Sequence, residues 1–141
     1  MTILKYDATS LGHISLFKKI TGVDAKDCFA LEDGTLIFVT EKNTTGFAVG
    51  REGKNIQTLR ASLKKEIKIM ETADNPEGVV TNFVWPQKPV SVSRDGNIIN
   101  IIFPNSRDRR VLLSNSAVKL KQLKAVMKRY FPEIEDIKLP Q

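Results

Sequence analysis

The feature that most constrains the fold of this chain is a pattern of elements that occurs twice. Asp-Gly dipeptides at positions 33–34 and 95–96 are 62 residues apart, and each joins two short apolar runs, which is typical of a β-hairpin. Ile56 and Leu120 begin similar apolar stripes at helical spacing and are 64 residues apart. Such a near-constant offset is typical of a duplicated module. The sequence therefore predicts two similar modules in tandem.

The first module is assigned to residues 1–74. Its first helix is expected to begin at the capping candidates Thr9 and Ser10 and to end at Gly22. The predicted elements are, in order, a helix at 10–21, strands at 27–31 and 35–41, a helix at 54–65 and a strand at 66–71. Cys28, the only cysteine, falls in the first strand and is expected to face the core.

The second module is assigned to residues 75–141 and repeats this order. The predicted elements are a helix at 76–85, strands at 90–94 and 97–103, a helix with the apolar stripe Leu120, Leu123, Met127 and Tyr130, and a strand at 134–139. Trp85, at the end of the first of these helices, is expected to pack in a core or between the modules. The expected fold class is therefore α+β, with two small sheets, each packed against helices.

Composition and single-residue patterns exclude several classes of protein. A chain of 141 residues, 41% hydrophobic and 27% charged, is expected to fold, and no apolar run reaches the roughly 20 residues that span a bilayer. We therefore expect a soluble cytoplasmic protein with no membrane partner. The only histidine, His13, lies in a helical pattern away from any cysteine or acidic cluster. With no nucleophile motif and no metal-ligand spacing, we expect neither an enzyme nor a metal or cofactor site.

The formal charge favours a polyanion as partner. The net charge is +6, of which residues 1–74 carry +1 and residues 75–141 carry +5. Eight cations of the second module, here called the basic cluster, surround one predicted loop and helix: Arg107, Arg109, Arg110, Lys119, Lys121, Lys124, Lys128 and Arg129. A solvated helix face is the ordinary interpretation of such a cluster, and contact with phosphates is the functional one.

The segment Gly50-Arg51-Glu52-Gly53, here called the glycine loop, is the strongest candidate for a binding site. Its glycines permit a close approach to the backbone, and it precedes a helix whose first N–H groups, together with Lys54, would attract a phosphate. A Walker A loop is excluded because Asn55 follows Lys54, where that motif has Ser or Thr. A dinucleotide fingerprint is excluded because no glycine stands two residues after Gly50.

The run at 46–56, between a hairpin and a strand, resembles a type II KH domain. Together with the tandem module, it is similar to the KH pair of the NusA family of transcription termination and antitermination factors, in its short archaeal form. The resemblance implies that single-stranded RNA is clamped by its sugar-phosphate backbone at the glycine loop, with bases in an adjoining groove lined by Val49 and Ile56. The RNA-binding residues that it implies are Gly50, Arg51, Glu52, Gly53, Lys54, Asn55 and Ile56.

The corresponding segment of the second module, Ser114-Asn115-Ser116-Ala117, is here called the serine loop and has neither glycine. A Cβ at each end should hinder close approach of a ligand to the backbone. Either the second module is a scaffold, or its loop contacts RNA in a different way. The candidate secondary RNA contacts are Arg109, Arg110, Ser114, Asn115, Ser116, Lys119, Lys121 and Lys124.

Two other functions fit the same residues. KH pairs also occur in ribosomal and RNA-processing proteins, and nothing in the chemistry of the glycine loop names the process. A protein-docking module is the second alternative, in which the basic second half or the segment Phe83, Trp85 and Pro86 contacts RNA polymerase. Binding of single-stranded RNA separates the RNA-binding functions from docking alone.

Overall fold

The computed structural model describes residues 8–140, and the chain divides between Thr72 and Ala73 into two compact units. The boundary predicted from the sequence, after Asp74, lies two residues from this division. Each unit is an α+β structure that contains one three-stranded sheet and several helices. The small sheets and packed helices of the expected fold class are therefore present.

Within residues 8–72, the first unit contains three α-helices and three strands. In chain order they are α1 (Ala8–Thr21), β1 (Ala25–Ala30), β2 (Leu36–Thr40), α2 (Thr45–Val49), α3 (Lys54–Leu63) and β3 (Ile67–Glu71). Strand β2 lies in the middle of the sheet, antiparallel to β1 and parallel to β3. A three-residue 3-10 turn, Arg51–Gly53, connects α2 to α3.

The core of the first unit is centred on stacked aromatic rings. The ring centroids of Phe17 on α1 and Phe38 on β2 are 4.5 Å apart, and Leu59 of α3 is fully buried beside them. Cys28 is also buried in this cluster, which confirms the expectation that it faces the core. The core thus holds α1 and α3 against the sheet, because each helix contributes an apolar stripe to it.

The ends of α1 test the predicted helix signals. Its last turn closes as expected, because the N–H of Gly22 donates to the carbonyl of Lys18 at 2.8 Å with Gly22 at φ 76°. The predicted start is wrong, since the helix already includes Thr9 and Ser10. Adjacent polar residues offer several possible starts, so cap preferences identify residue types better than positions.

The first hairpin is present, but its turn is longer than the Asp-Gly dipeptide suggests. Leu31 and Thr35 still pair, with the Leu31 N–H donating to the Thr35 carbonyl at 2.8 Å, which leaves a three-residue loop. Gly34 has φ 91°, and the carboxylate of Asp33 accepts a hydrogen bond from the Thr35 N–H at 2.9 Å. A three-residue loop with glycine at its positive-φ position is the next commonest hairpin type after two-residue turns.

The second unit repeats the order of elements. In chain order they are α4 (Pro76–Val84), β4 (Ser91–Asp95), β5 (Ile98–Ile102), α5 (Ser106–Tyr130) and β6 (Asp136–Lys138). Strand β5 is the middle strand, antiparallel to β4 and parallel to β6. The serine loop interrupts α5 with non-helical dihedral angles, so this element consists of two helical segments, 106–113 and 118–130.

Asparagine side chains cap both helix starts in this unit. Asn75 accepts a hydrogen bond from the Gly78 N–H at 2.7 Å, and Asn105 accepts one from the Asp108 N–H at 2.9 Å. These bonds satisfy N–H groups that have no partner within the helix. They therefore stabilise the first turns of α4 and α5.

Three predictions for the second unit can be compared with its side chains. The helical stripe is confirmed, because Leu123 and Met127 of α5 are buried. The predicted hairpin turn is displaced by one residue, since Asp95 pairs with Ile98 and leaves a two-residue loop with glycine in its first position. The expectation that Trp85 packs in a core is wrong, because its side chain is 64% exposed.

Within residues 8–140, no helix has the length and apolar character needed to cross a membrane.

Candidate nucleic-acid interface

The glycine loop owes its shape to backbone conformations that glycine adopts most readily. Gly50 has φ 80° and ψ 168°, a region that only glycine populates freely. Gly53 is left-handed at φ 72° and ψ 19°, and its N–H donates to the Gly50 carbonyl at 3.1 Å, which closes the turn. Glu52 is also left-handed, at φ 56° and ψ 27°. The turn itself therefore requires glycine at position 50, whereas the left-handed conformation at position 53 favours glycine and is also open to Asn and Asp.

Asn55 holds this turn against the helices on both sides. Its side-chain Nδ2 donates to the carbonyl of Phe47, on α2, at 3.3 Å. A Cβ added to Gly50 would lie 2.9 Å from Nδ2 and from Cγ of Asn55. Because the side-chain amide of Asn55 is engaged within the protein, its first role is to position the loop. A direct contact of Asn55 with RNA stays a prediction.

The start of α3 can receive an anion. Gly53 occupies the cap position and makes no side-chain hydrogen bond to the first turn, while the N–H of Lys54 donates to the Arg51 carbonyl within the preceding turn. The helix dipole favours negative charge at this end. Arg51 and Lys54 are exposed on either side, as is Glu52. All seven predicted RNA-binding residues are contiguous here, and Ile56, like Val49, is half-buried against the core.

The serine loop has the same position between two helical segments but a different backbone. Ser114 has φ −68° and ψ 157°, which any residue adopts, whereas the equivalent Gly50 has φ 80°. Asn115, Ser116 and Ala117 are all left-handed, with φ between 55° and 59°. For residues other than glycine this conformation costs roughly 1–2 kcal/mol each. The two loops thus agree at their third and fourth positions and differ at their first and second.

Two cations of the basic cluster are engaged within the second unit. The guanidinium of Arg109 donates from Nη2 to the carbonyl of Leu139 at 2.8 Å, and Lys124 Nζ lies 3.0 Å from Asp136 Oδ1. The pKa of Asp136 is lowered, first by its hydrogen bond with Lys124 and then by the N–H of Ile137. Both cations therefore have structural partners, which compete with any contact they would make to RNA.

The other predicted secondary contacts lie at the surface. Arg110, Lys119 and Lys121 are exposed, and they form no ion pair within residues 8–140. Ser114, Asn115 and Ser116 are exposed as well, with the Ser114 hydroxyl donating to the Arg110 carbonyl at 2.7 Å. The described part of the chain contains no group of three or more His, Cys, Asp or Glu side chains that could hold a metal ion.

One exposed side chain beside the glycine loop, Phe47, is not among the residues predicted from the sequence. It lies on α2, three residues before Gly50, and is 75% exposed. The exposure of Phe47 could not be predicted from hydrophobic periodicity, because an aromatic residue in a short apolar run is more often buried than exposed. Its spacing from Gly50 is the only available signal, since residues three apart share a helix face.

The chain matches the family model of the KH domain over residues 12–124. A protein of Halococcus morrhuae described as "Probable transcription termination protein NusA" is 26% identical to it over 133 residues, which cover 93% of this chain and 94% of that protein. The Methanocaldococcus jannaschii protein of the same description is 28% identical over 120 residues, 83% of this chain and 65% of that one.

A solved structure is similar to this chain over nearly its whole length. The crystal structure of APE1850 superimposes with a TM-score of 0.78 at 27% sequence identity, covering 96% of this chain and 100% of that one. The KH-domain model accounts for most of the chain, and the similar archaeal proteins align with nearly all of it. The chain therefore belongs to the KH-domain family and is similar to the archaeal NusA proteins.

Proposed function

We propose that this chain binds single-stranded RNA by clamping the sugar-phosphate backbone at the glycine loop, and that it acts in transcription as a NusA-like factor. The observation that carries the proposal is the backbone of Gly50, whose dihedral angles require glycine. The loop that it shapes leads directly into the start of α3, which has no side-chain cap. A phosphate can approach the backbone closely at Gly53, where the position of a Cβ has no neighbour within 4 Å.

The charges around the loop suit a phosphate chain. Arg51 and Lys54 are exposed and flank the start of α3, where the helix dipole also favours negative charge. The half-buried side chains of Val49 and Ile56 provide apolar surface next to the loop, as the bases of a single strand need. Glu52 opposes the phosphate, and its exposed side chain can turn to solvent while the backbone binds.

We further propose that the two units are tandem type II KH modules, corresponding to residues 1–74 and 75–141. Support comes from their common order of elements and from sheets in which an antiparallel pair is followed by a parallel third strand. In this proposal the glycine loop is the clamp, and the serine loop binds RNA differently. The exposed Arg110, Lys119 and Lys121 then add electrostatic affinity without a close backbone contact.

The role in transcription rests on the names of the archaeal relatives, which describe termination proteins. It is tested with purified archaeal RNA polymerase on a template with a terminator, because a termination factor changes the fraction of full-length transcript. A chain that binds RNA and leaves this fraction unchanged would favour the ribosomal or RNA-processing alternative. KH domains are binding modules, which supports a role without catalysis.

Docking on RNA polymerase is a second candidate function, favoured by one apolar surface. The exposed Trp85 and Val90 line a hollow of about 450 Å³ that also includes Pro89 and Val92. Exposed aromatic side chains of this kind are frequent anchors of protein interfaces. Trp85→Ala should weaken binding to immobilised RNA polymerase and leave RNA affinity unchanged if this surface is a docking site.

Binding itself is tested by fluorescence anisotropy with labelled oligomers. The chain should bind single-stranded RNA more tightly than duplex RNA of the same length, because a duplex hides the base edges that KH grooves contact. The affinity should fall as the salt concentration rises. For each phosphate contact on a single strand, the logarithm of the binding constant should fall by roughly 0.7 for every tenfold increase in salt. A chain that binds single strands and duplexes equally weakly would leave docking on a protein as the better function.

A further inference from the structure

Phe47 is the most exposed large hydrophobic residue among the side chains that the structure describes. Its side chain is 75% exposed, whereas the other four exposed large hydrophobics range from 43% to 66%. Burial of an aromatic ring is strongly favourable, and its neighbours Ala48 and Val49 both turn toward the core. The exposure of Phe47 is therefore a specific property of this position on α2.

The position of Phe47 relative to the glycine loop is fixed by backbone hydrogen bonds. Phe47 and Gly50 are three residues apart and so lie on the same side of α2. The N–H of Gly50 donates to the Gly46 carbonyl at 3.1 Å, and Asn55 Nδ2 donates to the Phe47 carbonyl at 3.3 Å. The aromatic ring is thus attached to a backbone segment that is held rigidly against the start of α3.

The residues around Phe47 leave space for a flat partner. Gly46 precedes it and Gly50 follows it by one helical turn, and neither has a side chain that could cover the ring. A Cβ added at Gly46 would have no neighbour within 4 Å. One large planar side chain therefore lies exposed between positions with no side chain, next to a loop shaped for phosphate.

We propose that Phe47 is a stacking platform for one nucleobase of the RNA strand held by the glycine loop. This inference rests on the function proposed above and adds a residue that determines how tightly a single strand is held. Bases in single-stranded RNA are free to stack on aromatic side chains, and each stack contributes substantially to affinity. Because every base has a planar face, Phe47 contributes affinity more than sequence preference.

Three substitutions at Phe47 separate stacking from simple apolar contact. Phe47→Ala should weaken binding of a labelled single-stranded RNA by about tenfold or more in anisotropy titrations. Phe47→Leu keeps apolar area but has no flat ring, so it should resemble Phe47→Ala, whereas Phe47→Tyr should resemble the unaltered chain. Trp85→Ala, which removes an exposed aromatic from the other unit, is the matched control and should leave RNA affinity unchanged. Thermal melts should coincide, since exposed substitutions rarely alter stability.

A spectroscopic variant observes the stack directly. Trp85 is the only tryptophan, so the double substitution Trp85→Phe with Phe47→Trp moves the single indole to α2. Its emission should be quenched as single-stranded RNA is added, and the titration should follow the binding curve. Emission that is unchanged while anisotropy reports binding would overturn the inference.

The possible results distinguish the inference from the function on which it rests. If the unaltered chain binds no RNA, the proposed function fails and the stacking role fails with it. If the unaltered chain binds RNA and Phe47→Ala binds it equally well, only the stacking role is overturned. If Phe47→Ala instead weakens binding to purified RNA polymerase and leaves RNA affinity intact, Phe47 belongs to a protein interface and the inference is wrong.

Discussion

The side-chain amide of Asn55 fills the space that a Cβ at Gly50 would occupy. A Cβ at Gly50 would be 2.9 Å from Cγ and Nδ2 of that amide and 3.2 Å from the Asn55 backbone nitrogen. The same Nδ2 donates to the carbonyl of Phe47. One polar side chain thus joins α2, the glycine loop and α3, and it requires that the first residue of the loop be glycine.

Substitutions at this pair should be coupled. Gly50→Ala should lower the free energy of unfolding by about 2 kcal/mol, because it adds backbone strain and a close contact. Asn55→Ala should lower it by about 1 kcal/mol, through loss of the hydrogen bond to Phe47. In the double variant the close contact with the amide is removed, so the total should be less than the sum. Urea denaturation of the four proteins measures this.

Additive effects of Gly50→Ala and Asn55→Ala would contradict the proposed coupling of these two residues. If the two single effects simply add, Asn55 does not restrict the residue at position 50. The backbone strain at Gly50 would then account for the whole cost of Gly50→Ala. Gly22→Ala measures the cost of a positive φ without a close contact, because Gly22 has φ 76° and no atom within 4 Å of an added Cβ.

Opposite effects are expected at the two ends of the serine loop. Ala117 has φ 58°, so Ala117→Gly should raise the free energy of unfolding by about 1 kcal/mol. Ser114 has φ −68°, which needs no glycine, so Ser114→Gly should lower stability by about 0.5–1 kcal/mol through the entropy of the unfolded chain. Thermal or urea unfolding measures both. If both variants change the free energy of unfolding in the same direction, the loop does not have the described backbone.

The ion pair between Lys124 and Asp136 should make stability depend on pH. Folding lowers the pKa of Asp136 below its ordinary value of 3.8. Its contribution is therefore fully present above the unfolded value near 3.9 and is lost as the pH falls through the lowered folded pKa. Asp136→Asn should cost at most about 1 kcal/mol at pH 7, because the pair is substantially exposed.

The comparison is made by urea denaturation at pH 7 and at a pH well below 3.8. The unaltered chain and Asp136→Asn should differ at pH 7 and converge at the acidic pH. Asn can still accept the hydrogen bond from the Ile137 N–H that Asp136 accepts at 2.8 Å, so the variant mainly removes the charge. A difference that persists unchanged in acid would show that this carboxylate is not stabilised by Lys124.

Lysines of the second unit are expected to set part of the salt dependence of RNA binding. Reversing the exposed Lys119 and Lys121 to Glu should reduce the salt slope by roughly 0.7 for each phosphate that these lysines neutralise. Anisotropy titrations at several salt concentrations measure the slope. Reversing Lys19 and Lys65, exposed residues of the first unit, makes the same change in net charge and is the control. An identical slope in all three proteins would make the second unit a scaffold.

Much of the fold could be predicted because each element has its own local signal. The apolar stripe of α5 follows from helical spacing, and the glycines at 34 and 96 mark both hairpins. The exact turns could not be predicted, since an Asp-Gly pair is compatible with loops of two or three residues. Packing of Trp85 in a core or between the modules is expected from its aromatic side chain, but residue type says nothing about neighbours far along the chain.

The candidate site could be located from the sequence but not described in detail. Glycines at 50 and 53 predict an unusual backbone, and α3 follows as expected. The partners of Arg109 and Lys124 could not be predicted, because Leu139 and Asp136 approach them only in the folded unit. The backbone difference between the two loops was also hidden, since Ser, Asn and Ala are compatible with many conformations.

The most direct test of the central claim is RNA binding by Gly53→Asp beside Gly53→Asn. A Cβ at Gly53 would meet nothing within 4 Å, and Asp and Asn both tolerate left-handed φ, so both variants should remain folded. Because they differ mainly in charge, Gly53→Asp should lose at least about tenfold more affinity for single-stranded RNA than Gly53→Asn. Gly22→Asp, at the similar φ of 76°, should bind like the unaltered chain. Equal affinity of folded Gly53→Asp and the unaltered chain would contradict the proposal that the glycine loop holds the RNA backbone.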